Sequence, residues 1–296
     1  MPSLPIAFLN CQNLRAGTNG AAPQQKVFDL ANMLAGLGAG PPAFICLCEV
    51  ARQSLGQAVA TAAFPNVSYG PVWSHSGKLA ATERGLLILY DTSVIDDPLQ
   101  KVRDRHLRNE RQGSRWLAAK FRVKSLPQDP VWIIVNHWHS GFQNAYDGEY
   151  NRRRSSDEIS DLFRGMRSLR RRRALPVLDQ RSDKIVILGD FNCEPADRVF
   201  RLTEWGSWKV SSDVNAVLNG TAKWPSFYNP MVKAPNIFGT FKSGSHALSS
   251  PMVDHILVSG KLCEPPGLQY QTGSIVASPF QPRASDHAAI GAVLQY

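Results

Sequence analysis

The run from Ile185 to Pro195, IVILGDFNCEP, sets a carboxylate and a carboxamide two residues apart. Residues i and i+2 of an extended chain point to one side, so Asp190 and Asn192 face one spot together. An Asp in that place takes a proton from water or holds a hard metal ion. The Asn amide donates to a phosphate oxygen. The four apolar residues at 185–188 read as a buried strand, and Gly189 ends it. Asp190 and Asn192 then lie just past the strand's carboxyl end, where an α/β sheet presents its chemistry. Taken alone, the same residues also describe a strand followed by an Asx-turn.

Five further places repeat the pattern. Residues 6–10 (IAFLN) end in Asn10, 44–49 (FICLCE) end in Glu49, and 131–137 (VWIIVNH) end in His137. Near the C-terminus come Asp254, in MVDHILV, and Ser285-Asp286-His287. Each buried polar group must find a partner or cost stability, so a purely structural protein has little use for so many of them on apolar strands.

This ordered set resembles the endonuclease/exonuclease/phosphatase superfamily, the group of deoxyribonuclease I and exonuclease III. The resemblance runs from Asn10 to His287, and the GDFN and SDH elements are specific as a pair. It implies one catalytic domain over 1–296, built as a four-layer α/β/β/α sandwich with two mixed β-sheets packed face to face. Periodicity alone does not show that architecture. It also implies Mg²⁺, or Mn²⁺, as cofactor.

Cleavage of a phosphodiester by water needs a deprotonated nucleophile, a stabilised pentacovalent phosphate and a protonated or metal-held leaving oxygen. Glu49 is the expected metal ligand, since a carboxylate ending a buried strand is costly without a cation. Asp286 and Asn10 complete its neighbourhood. The superfamily's metal glutamate usually follows a Gln, and here Cys48 takes that place. Asp190 is expected to orient or deprotonate the attacking water, with Asn192 holding it and touching the phosphate. His287 is expected beside the phosphate with Asp254 on its other ring nitrogen, acting either as base or as a phosphate-stabilising cation. In deoxyribonuclease I-like members a His ending this strand pairs with a Glu and protonates the leaving group, which assigns that pair to His137 and Glu83. The exonuclease III branch uses an Asn-rich element and a Tyr instead. His139 is read as a bystander, and His75, His106, His246 and His255 as surface or core histidines.

The formal net charge of +9 is uneven. Arg152, Arg153 and Arg154 form one cluster, and Arg170, Arg171, Arg172 and Arg173 a second. Such clusters suit a polyanionic partner, nucleic acid and foremost DNA, or else a solvated helix face. Arg52 could reach a phosphate or lie on a helix surface. GDFNCEPAD resembles the element of deoxyribonuclease-like toxin subunits and retrotransposon endonucleases. The GDxNYR and WCDR elements of inositol-polyphosphate 5-phosphatases are absent. RNA-directed and other phosphoesterases of the superfamily are the alternatives. An inactive binding module would have lost at least one of the site residues.

No apolar run approaches the roughly 20 residues of a membrane span. The first strand begins almost at Met1, which leaves no room for a secretory signal. The five cysteines make neither a disulfide framework nor a zinc site. The cysteines favour a reducing cytoplasm, away from membranes, and a monomer is expected.

The elements that must position the site follow from periodicity. Strands are expected at 5–10, 43–49, 184–189, 253–258 and 288–294, and helices at 24–37, 51–62 and 150–171. Residues 86–90, 116–123 and 131–136 read as consecutive strands whose short connections suit antiparallel pairing. Residues 200–250, rich in Trp and Phe interleaved with Lys, read as a long irregular loop suited to base stacking, or as satellite core pinning that loop.

Overall fold

A computed structural model describes residues 2–15, 24–38, 40–75, 84–103, 115–138, 178–195, 209–219, 226–235, 237, 239–242, 251–281 and 283–296, with 152, 155, 156, 159, 162 and 163. The chain opens one sheet with β1 (Ser3–Leu14), β2 (Phe44–Val50), β3 (Tyr69–Trp73) and β4 (Gly85–Asp91). It then builds a second from β5 (Gln100–Arg103), β6 (Trp116–Val123), β7 (Leu126–His137), β8 (Lys184–Asp190), β9 (Lys209–Ser211), β10 (Ser226–Tyr228) and β11 (Asp254–Ser259). It returns to the first with β12 (Gln269–Tyr270), β13 (Val276–Ala277) and β14 (Ile290–Gln295). The strand orders are β12-β14-β1-β2-β4-β3, with β13 beside β14, and β5-β6-β7-β8-β11-β10-β9.

The central strands read as unbroken apolar runs because both faces are covered. Phe8, Cys46, Ile88, Phe121, Ile133, Leu188 and Ile256 meet between the sheets. The outer face of the first sheet offers Ala7, Leu9, Ile45, Leu47, Leu87 and Leu89 to α1 (Gln24–Ala35) and α2 (Gln53–Ala63). Leu30, Met33 and Leu34 of α1 and Leu55 and Val59 of α2 fill that interface at helical spacing. The outer face of the second sheet packs Trp116, Trp132, Ile134, Ile185 and Leu257 against Ile159 and Leu162, which are helical. These three cores are the two interfaces of each sheet, and the result is the α/β/β/α sandwich. Among the described residues no helix is long and apolar enough to cross a membrane.

Two expectations need correction. Residues 86–90 do not pair with 116–123. β4 runs antiparallel to β2 and β3 in the first sheet, whereas β6 and β7 are antiparallel partners in the second. The stretch between β4 and β6 is long enough to change sheets and lays down the edge strand β5 on the way. Residues 200–250 are not one irregular loop. Within them lie β9, β10, the short helix α3 (Val214–Leu218) and a 3₁₀ turn at Pro230–Lys233. Phe227 and Tyr228 are buried core residues rather than stacking surfaces. Trp205, Trp208, Trp224, Lys223 and Phe238 lie outside the described residues.

Candidate active site

Strand register assembles one half of the site in a row. β7 and β8 are parallel and pair His137 with Asp190, while antiparallel β11 pairs Asp254 with the same Asp190. Gly189 permits this closeness, since a Cβ there would lie 2.3 Å from the Asn136 carbonyl oxygen. The other half comes from the first sheet. Parallel β1 and β2 bring Asn10 beside Cys48, and antiparallel β14 begins just after His287.

Glu49 departs from the alternation of a regular strand. Its φ is +57, and the β1–β2 register shifts beyond Asn10. Cys48 packs between the sheets, yet Glu49 also reaches across to the second sheet. A non-glycine residue in that region is strained; such residues persist where the surrounding structure over-determines them and cluster at active sites. Glu49 Oε1 lies 3.3 Å from His137 Nε2, and Oε2 lies 2.8 Å from an Arg84 guanidinium nitrogen. Burial pushes its pKa up, but the hydrogen bond and charge of His137, with Arg84 and His287, outweigh this and bring it down to about 2. Glu83 lies outside the described residues. Among the described residues, the carboxylates that face His137 are Glu49 and Asp190.

Asp190 is the hub. Its Oδ2 accepts from Asn10 Nδ2 at 3.0 Å, a hydrogen bond that joins the two sheets. Oδ1 accepts from the Asn192 backbone N–H at 2.9 Å. Oδ2 also lies 3.8 Å from His137 Nε2 and 3.7 Å from His287 Nε2. Burial, aided by the charge of Asp254 and opposed by His287 and His137, raises its pKa. Asn192 has φ +50 and donates its amide to the Trp138 carbonyl at 2.9 Å. The element is an Asx-turn, and Asn192, at φ +50, is not extended as the i, i+2 expectation requires; its amide is engaged by Trp138.

His287 is buried, and its Nδ1–H donates to Asp254 Oδ2 at 2.8 Å. Burial disfavours the charged ring, but Asp254, Asp190 and Asp286 together raise its pKa to about 10. The 3.3 Å contact of Asn10 Nδ2 with Nε2 is a hydrogen bond only for a neutral ring. Three carboxylates around one imidazole favour the imidazolium, with Asp190 Oδ2 at 3.7 Å and Asp286 Oδ1 at 3.8 Å from Nε2. Ser285 holds this turn by donating to the Asn10 carbonyl and accepting from the His287 N–H.

Oxygen donors of the kind a hard cation takes are present. Glu49 is held ionised, and Asp286 Oδ1 is buried without a hydrogen-bond partner among the described residues. Asn10 Oδ1 accepts from Gln12 N. These residues fit Mg²⁺. Asp190, Asp254 and His287 also offer ligand atoms within 4.8 Å of one another, but the Asp254–His287 hydrogen bond already occupies two of those groups. Glu49→Gln keeps the shape and removes the charge. It is expected to weaken Mg²⁺ binding by more than the roughly 10–100-fold that loss of a ligand's outer partner costs. Calorimetric titration of the substrate-free protein measures this. An unchanged affinity in a folded variant would remove Glu49 from the ligand set.

The remaining expected residues divide. Arg52 is exposed at the start of α2. Arg152 is half-buried in a helical turn, whereas Arg153, Arg154 and Arg170 to Arg173 lie outside the described residues, as does His139. His255 is a core histidine, bonded to the Cys193 carbonyl at 2.9 Å and to Asn229 at 3.2 Å. Nothing in the sequence gives a role to Arg84 or Lys26, and Phe241 is marked only as one of the aromatics of 200–250. Arg84 grips Glu49, and Lys26 reaches the Gln12 carbonyl at 2.6 Å with Glu49 and Asp286 raising its pKa against the larger lowering by burial. Phe241 packs on His287 with ring centres 4.8 Å apart. Arg84 directly follows Glu83 and was in view, but no motif marks Lys26 or Phe241.

The profile of the Endonuclease/Exonuclease/phosphatase family matches residues 7–287. No curated protein sequence matches the chain. Among solved structures, an endonuclease/exonuclease/phosphatase from Bacteroides vulgatus superposes with a TM-score of 0.63 at 16% identity, covering 100% of this chain and 99% of that one. TDP2 of D. rerio, complexed with a single-strand DNA product, gives 0.59 at 14% identity over 99% of both chains. A mannosyl-6-phosphatase from Bacteroides thetaiotaomicron gives 0.58 at 16% identity, over 99% of this chain and 100% of that one. At such identities the likeness is one of fold.

Proposed function

Because the chain belongs to the endonuclease/exonuclease/phosphatase family, whose members hydrolyse phosphoesters, we propose that it is a divalent-metal-dependent phosphodiesterase acting on DNA. The observation that carries this reading is the position of Asp190, whose Oδ2 lies between His137 and His287 and accepts from Asn10. Asp190 takes the proton of the attacking water, and its raised pKa suits a base better than an ordinary carboxylate's would. Asn192 fixes the turn that aims it. His287, charged at neutral pH, stabilises the negative charge that builds on the phosphate. His137 protonates the leaving oxygen. Glu49, Asp286 and Asn10 would hold Mg²⁺, which would supply charge neutralisation at the phosphate.

The net charge of +9 and the arginine clusters support a polyanion as substrate. The DNA product held by the zebrafish relative supports the same class. The mannosyl-6-phosphatase on the same fold favours a second reading, a sugar phosphomonoester. One panel separates the two. The protein is incubated with single-stranded DNA, supercoiled plasmid, RNA and mannose 6-phosphate, each with Mg²⁺, Mn²⁺ or EDTA. Metal-dependent DNA cleavage that EDTA abolishes is expected. Hydrolysis of the sugar phosphate alone would replace the nuclease reading, and full turnover in excess EDTA would remove the metal.

A further inference from the structure

Residues 240–242 touch three members of the site. Thr240, fully buried, accepts through Oγ1 from the N–H groups of Val253 at 3.0 Å and Asp254 at 2.9 Å. Its carbonyl accepts from Ala288 N at 2.8 Å. Phe241 forms an antiparallel bridge with His287 and lays its ring against the imidazole, centres 4.8 Å apart and planes at 53°. The Lys242 N–H donates to the Asp286 carbonyl at 2.8 Å.

The Asp254 carboxylate explains why this matters. It is buried, Oδ2 accepts from His287, and Oδ1 has no hydrogen-bond partner among the described residues. Among the described residues no side chain besides His287 hydrogen-bonds it, so its own backbone has the larger part in setting its direction. Thr240 fixes that backbone by satisfying two successive N–H groups at the head of β11. His287 is likewise held at one ring nitrogen by Asp254, and its face rests on Phe241. A valine would fill the space of Thr240, but it would leave both N–H groups without this acceptor.

We propose that Thr240 and Phe241 are positioning residues for the His287–Asp254 pair, Thr240 by fixing the start of β11 and Phe241 by fixing the plane of the imidazole. This rests on the reading that the pair serves hydrolysis. Neither residue touches the reacting atoms.

Four variants test it: Thr240→Val, Thr240→Ser, Phe241→Leu and, as a spectral reference, His287→Ala. Steady-state rates are measured on the best substrate of the panel. The proton spectrum of the substrate-free protein is searched for the His287 Nδ1–H, assigned by its loss in His287→Ala. Thr240→Val and Phe241→Leu are expected to lower kcat by about 10²-fold, the cost of a misplacement near 1 Å. KM should change little, and the Nδ1–H signal should broaden into exchange with water. Thr240→Ser keeps the oxygen and should restore both the rate and the signal. Parent-like rates or an unchanged signal in Thr240→Val and Phe241→Leu would overturn the proposal, as would equal losses in Thr240→Ser. Circular dichroism reports folding. If Thr240→Val does not fold, Phe241→Leu decides by the same two readouts. If the parent protein hydrolyses no phosphoester, the functional reading fails, and the signal alone still decides whether these residues hold the pair.

Discussion

Asp190→Asn is expected to lower the hydrolytic rate by about 10²–10⁴-fold, the range that a positioned proton transfer contributes. The substitution preserves volume and removes the base. It also disturbs the carboxylate's bonding. Asp190 accepts from Asn10 on one oxygen and from the Asn192 N–H on the other. An amide has one oxygen, so one of these donors must meet an NH₂ group. The stability loss should be about 1–3 kcal/mol, the usual cost of one buried donor left unpaired. Denaturant unfolding measures that part separately from kcat. A rate within a few-fold of the parent, in a folded variant, would take Asp190 out of the chemistry.

His287→Ala should cost about 10²–10³-fold in kcat, as loss of a donor aimed at developing charge does. A second signature comes from its pKa. The folded-state value, about 10, lies above the ordinary 6.5 because Asp254, Asp190 and Asp286 outweigh burial. The imidazolium's contribution to stability is therefore fully present below pH 6.5 and is lost as pH rises through about 10. Melting temperatures taken in EDTA across that window should fall more for the parent than for His287→Ala. Parallel curves would mean that the ring is neutral in the folded protein.

The strand ends were legible because the fold buries both faces of each sheet, and a polar residue stands out at the end of an apolar run. Asn10, Glu49, His137, Asp190 and Asp254 all carry that signal. Sheet membership carried none. Gly85–Asp91 and Trp116–Val123 are equally apolar, and only pairing partners distinguish β4 in one sheet from β6 in the other. Nor does the sequence announce that Glu49 turns against the alternation of its strand, because φ +57 at a glutamate has no compositional mark. Phe241 and Thr240 sit in a polar, glycine-containing stretch, so their contacts with His287 and β11 depend on a β-bridge between distant segments. The aromatic character of residues 200–250 was visible, but its use in part as core was not.

Asn10 and Glu49 come from strands made early, Asp190 from the middle of the chain, and His287 from the return to the first sheet. β14 lies between β12 and β1, so the first sheet stays open along that edge until the final crossing is in place. Order of synthesis therefore acts as a timer. A growing chain can complete the second sheet and still lack Asp286 and His287. The candidate site is therefore complete only when the segment leading into β14 docks, and a ribosome-bound fragment that ends before Asp286 lacks two of its members.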